Sequence, residues 1–152
     1  MTKIMRIEFR PEHLLAIKVD PIVLKLREGI DLIEWAKIRK RMGTTVSMVA
    51  INVDKSTRVV ASGGAVVLWP GTGELWMALD IDGGKMPALP IAIRSQVDEW
   101  IETLNLDRIH STVPATWPPG IRFLEWIGME KESLMRKFGP GRIDQFMYAR
   151  VK

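Results

Sequence analysis

The sequence predicts a single α/β (α+β) domain over residues 1–152, with a mixed central sheet and flanking helices. Three observations predict it. The middle of the chain is a meander of β-branched segments separated by tight-turn residues. A helix then joins the last strand of that meander to a new strand, which within one sheet implies a parallel crossover. Segments with helical apolar spacing stand before and after the meander and can cover the sheet.

Taken in order, residues 3–9 read as the first strand. Pro11 suits a helix's first turn, and His13, Leu14 and Ile17 share one face. Asp20-Pro21 is a break or cap, and residues 22–28 form a further helical turn or two. Residues 31–42 make a fuller helix: Ile30, Ile33, Trp35 and Ile38 are apolar, basic residues fill its last turns, and Gly43 follows as a stop. The basic run of Lys37, Arg39, Lys40 and Arg41 reads as a solvated helix end.

Residues 45–53 and 58–69 are strands, the second interrupted by Gly63-Gly64, where a bulge or a close backbone approach is expected. Pro70-Gly71-Thr72-Gly73 turns the chain into a third strand at residues 74–81. After Asp82-Gly83-Gly84-Lys85-Met86-Pro87, residues 88–104 form a helix with Ile93, Val97, Trp100, Ile101 and Leu104 as its stripe. A strand at 108–113, a helix at 118–127 and two strands around Phe138-Gly139-Pro140-Gly141 complete the order β, α, α, β, β, β, α, β, α, β, β.

Composition narrows the function. Hydrophobic residues at 47% and charged residues at 26% place the chain with globular proteins. No apolar run approaches the roughly 20 residues needed to span a bilayer, and the N-terminus lacks a signal peptide's apolar stretch, so a cytoplasmic location is expected. The absence of cysteine excludes disulfides, thiolate zinc sites and a cysteine nucleophile. With two histidines far apart, His13 and His110, no metal site is expected. A net charge of +4 suits an anionic partner, whether a phosphorylated cofactor, nucleic acid or an acidic protein.

The segment Gly120-Ile121-Arg122-Phe123-Leu124-Glu125-Trp126-Ile127-Gly128-Met129-Glu130 resembles the A-x-R-F-L-x-x-x-G-F signature of the GNAT superfamily of N-acetyltransferases. Asp144-Gln145-Phe146-Met147-Tyr148-Ala149-Arg150 is similar to its closing strand. The small size and divergent motifs most resemble the phage branch, which includes relatives of an internal virion protein. The resemblance implies a splayed pair of parallel strands and acetyl-CoA, or another acyl-CoA, as co-substrate, with no metal. The pantetheine arm would lie along the third meander strand, with Leu79 and Ile81. The pyrophosphate would rest on the turn of Gly83, Gly84, Lys85 and Met86 and the helix start at Ala88, where the macrodipole favours anions. Trp117 and Phe123 would complete the cofactor groove.

Departures from the family pattern are legible too. The R/Q-x-x-G-x-G/A loop is absent, and Pro87 and Pro90 each remove an N–H donor. Trp117 stands where relatives often place an asparagine, and Leu124 where many place a tyrosine acting as general acid.

For a general base, the third strand alternates Glu74, Trp76, Ala78 and Asp80 against Leu75, Met77, Leu79 and Ile81. Asp80 lies nearest the expected splay and Glu74 farther off. His110, with Ser111 and Thr112, can line the acceptor side, and Tyr148 can hydrogen-bond in the acceptor pocket or pack. Trp100 and Trp126 fall on apolar helical stripes and are expected in the core. Trp69 and Trp76 on neighbouring strands can form an exposed patch suited to a homodimer contact or to stacking on nucleic-acid bases.

Two functions from different classes follow. One is an acyl-CoA-dependent N-acyltransferase acting directly on an amine acceptor. The other is a GNAT-like binding or virion-associated phage protein of weak or lost catalysis, located in host cytoplasm or virion.

Overall fold

The computed structural model describes residues 2–152. Period-2 patterning in the middle of the chain becomes a run of antiparallel strands: β1 (Lys3–Ile7), β2 (Gly43–Ile51), β3 (Thr57–Trp69) and β4 (Thr72–Leu79). Helix α4 (Ala88–Thr103) carries the chain across to β5 (Arg108–Pro114), which pairs with β4 in parallel, as the crossover argument requires. Beyond α5 (Pro118–Trp126), strands β6 (Glu130–Met135) and β7 (Gln145–Val151) are antiparallel to each other. The last strand inserts between β5 and β6, giving the order β1-β2-β3-β4-β5-β7-β6.

Between β1 and β2 lie three short helices, α1 (His13–Ala16), α2 (Pro21–Leu26) and α3 (Leu32–Met42), where the sequence order counted two. Asp20 caps α2 through a bond from the Ile22 amide at 3.0 Å, and Asp31 caps α3 through the Glu34 amide at 3.1 Å. The first strand stops at Ile7, two residues short of expectation, because Phe9 leaves the sheet to pack fully buried against the helical layer.

Gly43 is not a left-handed helix stop. Its backbone is already extended and it begins β2; a Cβ there would sit 2.0 Å from the Ala65 carbonyl oxygen. At the Gly63-Gly64 pair no bulge forms; the register shifts fall at Met48/Val49 and Val67/Trp69. Close approach is what these glycines permit, since a Cβ on Gly64 would meet the Thr44 oxygen at 2.6 Å and Trp76 Nε1 at 2.7 Å.

The sheet is covered on both faces. One core packs α4 and α5 against Leu75, Val60, Ile109 and Tyr148; the other packs α1 and α3 against Trp76, Ala78 and Val66. The alternation along β4 expected from its sequence thus divides Leu75 from Trp76 and Ala78. On the second face a buried polar chain fixes the N-terminal layer: His13 Nδ1 lies 2.7 Å from Ser47 Oγ, which lies 2.7 Å from Ser62 Oγ. These hydroxyls satisfy each other and the imidazole, so their burial carries no unmet hydrogen bond. Among the described residues no helix is long and apolar enough to cross a membrane.

Two tryptophan expectations are corrected. Trp76 is buried, whereas Trp69 is 62% exposed, and their register partners are Gly64 and Thr72, so they form no joint surface patch. Trp126 is 43% exposed with the Arg94 guanidinium 5.3 Å above its ring, while Trp100 is in the core as expected.

Candidate active site

β4 and β5 share only three register positions, Thr72↔Arg108, Gly73↔Ile109 and Glu74↔His110, and then part. From Leu75 onward the β5-facing edge of β4 has no strand partner, and a cleft of about 520 Å³ opens between the strands. An unpaired strand edge offers N–H and C=O groups to an extended ligand. The apex of this V is Glu74 with His110. The sequence placed the divergence near Asp80, so the positions of the two candidate carboxylates are reversed.

At the apex, His110 Nε2 lies 4.0 Å from Glu74 Oε2, with the imidazole 13% and the carboxylate 39% exposed. His110 Nδ1 accepts from Arg108 Nε at 3.4 Å, and Arg108 is held by Glu132 of β6 through bonds of 2.8 and 2.6 Å. Burial, then the Arg108 charge, push the His110 pKa below its ordinary 6.5, so the ring is neutral at pH 7. With Nδ1 as acceptor, the proton of the neutral ring sits on Nε2 and faces Glu74. That leaves Glu74 as the group with free proton-accepting capacity.

Asp80 does not line the cleft. Its buried carboxylate pairs with Arg58 and accepts from the Asp82 amide at 2.8 Å, which ties β3 to the turn after β4. We expect Asp80→Asn to leave turnover within about twofold. An amide cannot accept from the Asp82 N–H without turning its own donor toward Arg58. The cost should be on the order of 1–2 kcal/mol, in the lower range for charge-assisted bonds because Arg58 is half-exposed. Initial rates and a thermal melt of the same preparation check both halves; a hundredfold loss of turnover would restore Asp80 as base.

Tyr148 is fully buried and turned away from the cleft, donating to Glu125 Oε2 of α5 at 3.2 Å. Burial first, then Glu125, raise its pKa, so it remains a neutral packing residue with a satisfied hydroxyl. Its neighbour Met147 lines the cleft instead.

Of the residues expected to hold a cofactor, Leu79, Trp117 and Phe123 line the cleft, as does Leu124. Ile81 does not; its amide bonds the Lys18 carbonyl at 2.7 Å and so anchors the N-terminal segment. Gly83, Gly84 and Lys85, in a 3-10 turn (Gly83–Lys85), also lie outside the lining, as do Met86, which closes that turn, and Ala88, which begins α4. The amides of Gly83, Lys85 and Met86 are engaged within that turn, bonding the carbonyls of Asp80, Asp82 and Gly83. Lys85 is exposed beside Asp82 at 3.7 Å. The turn is thus a poorer phosphate cradle than two adjacent glycines suggest.

Sequence reasoning missed Arg39, Trp35 and Gln145, all of which line the cleft. Among the described residues three buried side-chain nitrogens have no hydrogen-bond partner: Arg39 Nε, Trp76 Nε1 and Trp117 Nε1. All three belong to residues lining this cleft, and all are N–H donors. The nitrogens themselves have almost no exposed surface, and Trp76 Nε1 lies over Gly64 of β3, so they are unmet donors beneath the cleft wall and not ligand contacts.

No family model matches the sequence, and no curated protein matches it. Solved structures do match its shape. A GNAT-family acetyltransferase from Bacillus anthracis superposes with a TM-score of 0.73 at 18% identity, over 97% of this chain and 94% of that one. The ribosomal-protein-S18-alanine N-acetyltransferase from Escherichia coli gives 0.65 at 17%, over 99% and 94%. A point mutant of the spermidine N-acetyltransferase from Vibrio cholerae gives 0.65 at 12%, over 97% and 93%. The chain has the GNAT fold. The parting of β4 and β5 is the splayed parallel pair that the sequence resemblance implied.

Proposed function

We propose that the chain is an acyl-CoA-dependent N-acyltransferase, with acetyl-CoA as the first donor to test. The observation that carries this reading is the parting of β4 and β5 at Glu74/His110, which leaves a free strand edge along the cleft so formed. The free edge of β4 binds the amide-bearing arm of the donor, and Trp117 and Phe123 flank it. Glu74 accepts the proton that the amine loses as its nitrogen bonds to the thioester carbonyl carbon. His110 Nε2–H faces the Glu74 carboxylate across 4.0 Å, too far for a direct hydrogen bond, and adds its polarity to the apex. The C–S bond breaks with its electron pair on sulfur; a thiol with a pKa near 8.5 leaves as thiolate without a protein acid. Leu124 at the place of the usual tyrosine is consistent with that route.

Thermal stability in the presence of acetyl-CoA is the direct test. At about 100 times its dissociation constant a ligand adds roughly 2.7 kcal/mol, or roughly 5–10 °C for a domain of this size. Gly84→Pro, at a position where a side chain meets open space, removes an amide of the turn and should reduce the shift. No shift with acetyl-CoA, CoA or longer acyl-CoAs rules the reading out.

A second reading is favoured by one observation. The engaged amides of Gly83, Lys85 and Met86 weaken the expected phosphate cradle, which suits a GNAT-like binding protein of reduced catalysis. Ligand-induced stabilisation without acetyl transfer to any amine would select it.

A further inference from the structure

The acceptor half of the cleft carries a charge pattern that the acyltransferase reading does not use. In the basic run at the end of α3, Lys37, Lys40 and Arg41 are exposed and Lys40 reaches Glu8 at 3.8 Å. Arg39 alone of the four lines the cleft. Its guanidinium carbon stands 3.9 Å from the centroid of the Trp35 ring, one helical turn earlier, and the Nε–H is buried without a partner. Among the described residues Arg39 makes no ion pair. The buried Nε is out of a ligand's reach, but no hydrogen bond among the described residues engages the two terminal nitrogens, and a stacked cation with that open fork is preorganised for a planar, bidentate oxyanion.

Glu74 supplies the opposite pole. Burial pulls the Arg39 pKa down while the Glu74 charge acts against it, so the two groups sense one another without touching. An acceptor that fits both poles carries an ammonium facing Glu74 and a carboxylate facing Arg39. A polyamine would set its second cation against Arg39, and a neutral amine would leave the guanidinium desolvated and unpaired. Ser111, Thr112 and Gln145 also line the cleft, but Val23, Leu26, Trp76, Phe138 and Met147 form an apolar stretch of its wall that suits an apolar side chain.

We propose that the acceptor is a free amino acid with an apolar side chain, its carboxylate held by the Trp35-stacked Arg39 fork and its amine presented to Glu74. This rests on the acyltransferase reading for its chemistry, but carboxylate recognition by Arg39 is measurable without turnover.

The experiment has two arms. In the first, N-acetyl-L-phenylalanine, its carboxamide and phenethyl phosphate are titrated calorimetrically into the wild-type chain and into Arg39→Gln and Arg39→Lys. The carboxylate should bind at least tenfold more tightly than the carboxamide and than the phosphate. Arg39→Gln should remove that preference, with Arg39→Lys intermediate because it keeps the charge and loses the fork. In the second arm, acetyl transfer from acetyl-CoA to L-phenylalanine and to L-phenylalaninamide should favour the amino acid at least tenfold in kcat/KM. The difference should lie in KM, and the ratio should collapse toward one in Arg39→Gln.

Equal binding of carboxylate and carboxamide, tighter binding of the phosphate, or equal loss for both acceptors in Arg39→Gln would each overturn the assignment. Carboxylate binding that depends on Arg39 without acetyl transfer to any amine would instead defeat the acyltransferase reading while upholding the anchor.

Discussion

Replacing Glu74 by glutamine should lower kcat for acetyl transfer roughly 100- to 10,000-fold at neutral pH, the range for loss of a positioned general base. Glutamine keeps the shape and the cleft position but cannot accept the amine's proton. Acetyl-CoA binding should survive, because the base makes no contact that the donor needs before the amine attacks. The gap between wild type and Glu74→Gln should narrow as pH rises through the acceptor amine's own pKa, since the amine then arrives deprotonated.

His110 sets the acid side of the wild-type profile. Its pKa is depressed below 6.5 by burial and by Arg108, so it is neutral at pH 7 and charges only below that value. Once protonated, it sets a positive charge 4.0 Å from Glu74, where it competes with the acceptor amine for that carboxylate. Turnover should therefore fall as pH drops through the folded-state pKa of His110. The linkage has the same sign for stability: a depressed pKa gives stability that is fully present above about 6.5 and is lost as pH falls. Initial rates from pH 5 to 10 check these points. A Glu74→Gln enzyme within about threefold of wild type throughout would remove Glu74 as base.

Much of this architecture is legible in the sequence, for reasons that also explain what is not. The switch from period 2 to helical spacing marks the meander, α4 and α5, and the parallel crossover follows from connectivity alone. The point where β4 and β5 part is a register property. Nothing in residues 74–81 distinguishes the last paired position from the first unpaired one, so the apex falls at Glu74 and not near Asp80. The fate of a carboxylate depends on a partner far away in sequence. Asp80 meets Arg58 across the β3–β4 hairpin, and only the fold brings them together.

Arg39 illustrates a signal that was present and outweighed. In a run of basic residues a solvated helix end is the ordinary outcome, and it holds for Lys37, Lys40 and Arg41. Trp35 lies four residues earlier on the same helix, however, and residues at that spacing meet. Phase along α3 would have separated Arg39 from its neighbours. Tyr148 shows the opposite limit. Strand alternation gives two faces but not which of them meets α5 and which the cleft, and the hydrogen bond to Glu125 decides it.

Trp76→Ala should be the most destabilising single substitution near the site, at about 3–5 kcal/mol for a truncated core aromatic. Its indole is the centre of the N-terminal layer's packing, with Phe9 at 5.5 Å and 74° and Trp35 at 5.3 Å and 84°, both edge-to-face. Each such pair adds to the area buried. Gly64 leaves no side chain beneath the ring that can fill the space once the indole is gone. At 2–4 °C per kcal/mol for a domain of this size, the melting temperature should fall by roughly 6–20 °C. Trp126→Ala is the matched control: the same chemistry on an exposed face should cost under about 1 kcal/mol. Trp76 also supports Trp35, on which Arg39 stacks, so Trp76→Phe at a permissive temperature should weaken carboxylate binding more than acetyl-CoA binding. Equal melting temperatures for Trp76→Ala and Trp126→Ala would show that the N-terminal helices are held by the His13–Ser47–Ser62 chain and not by this aromatic cluster.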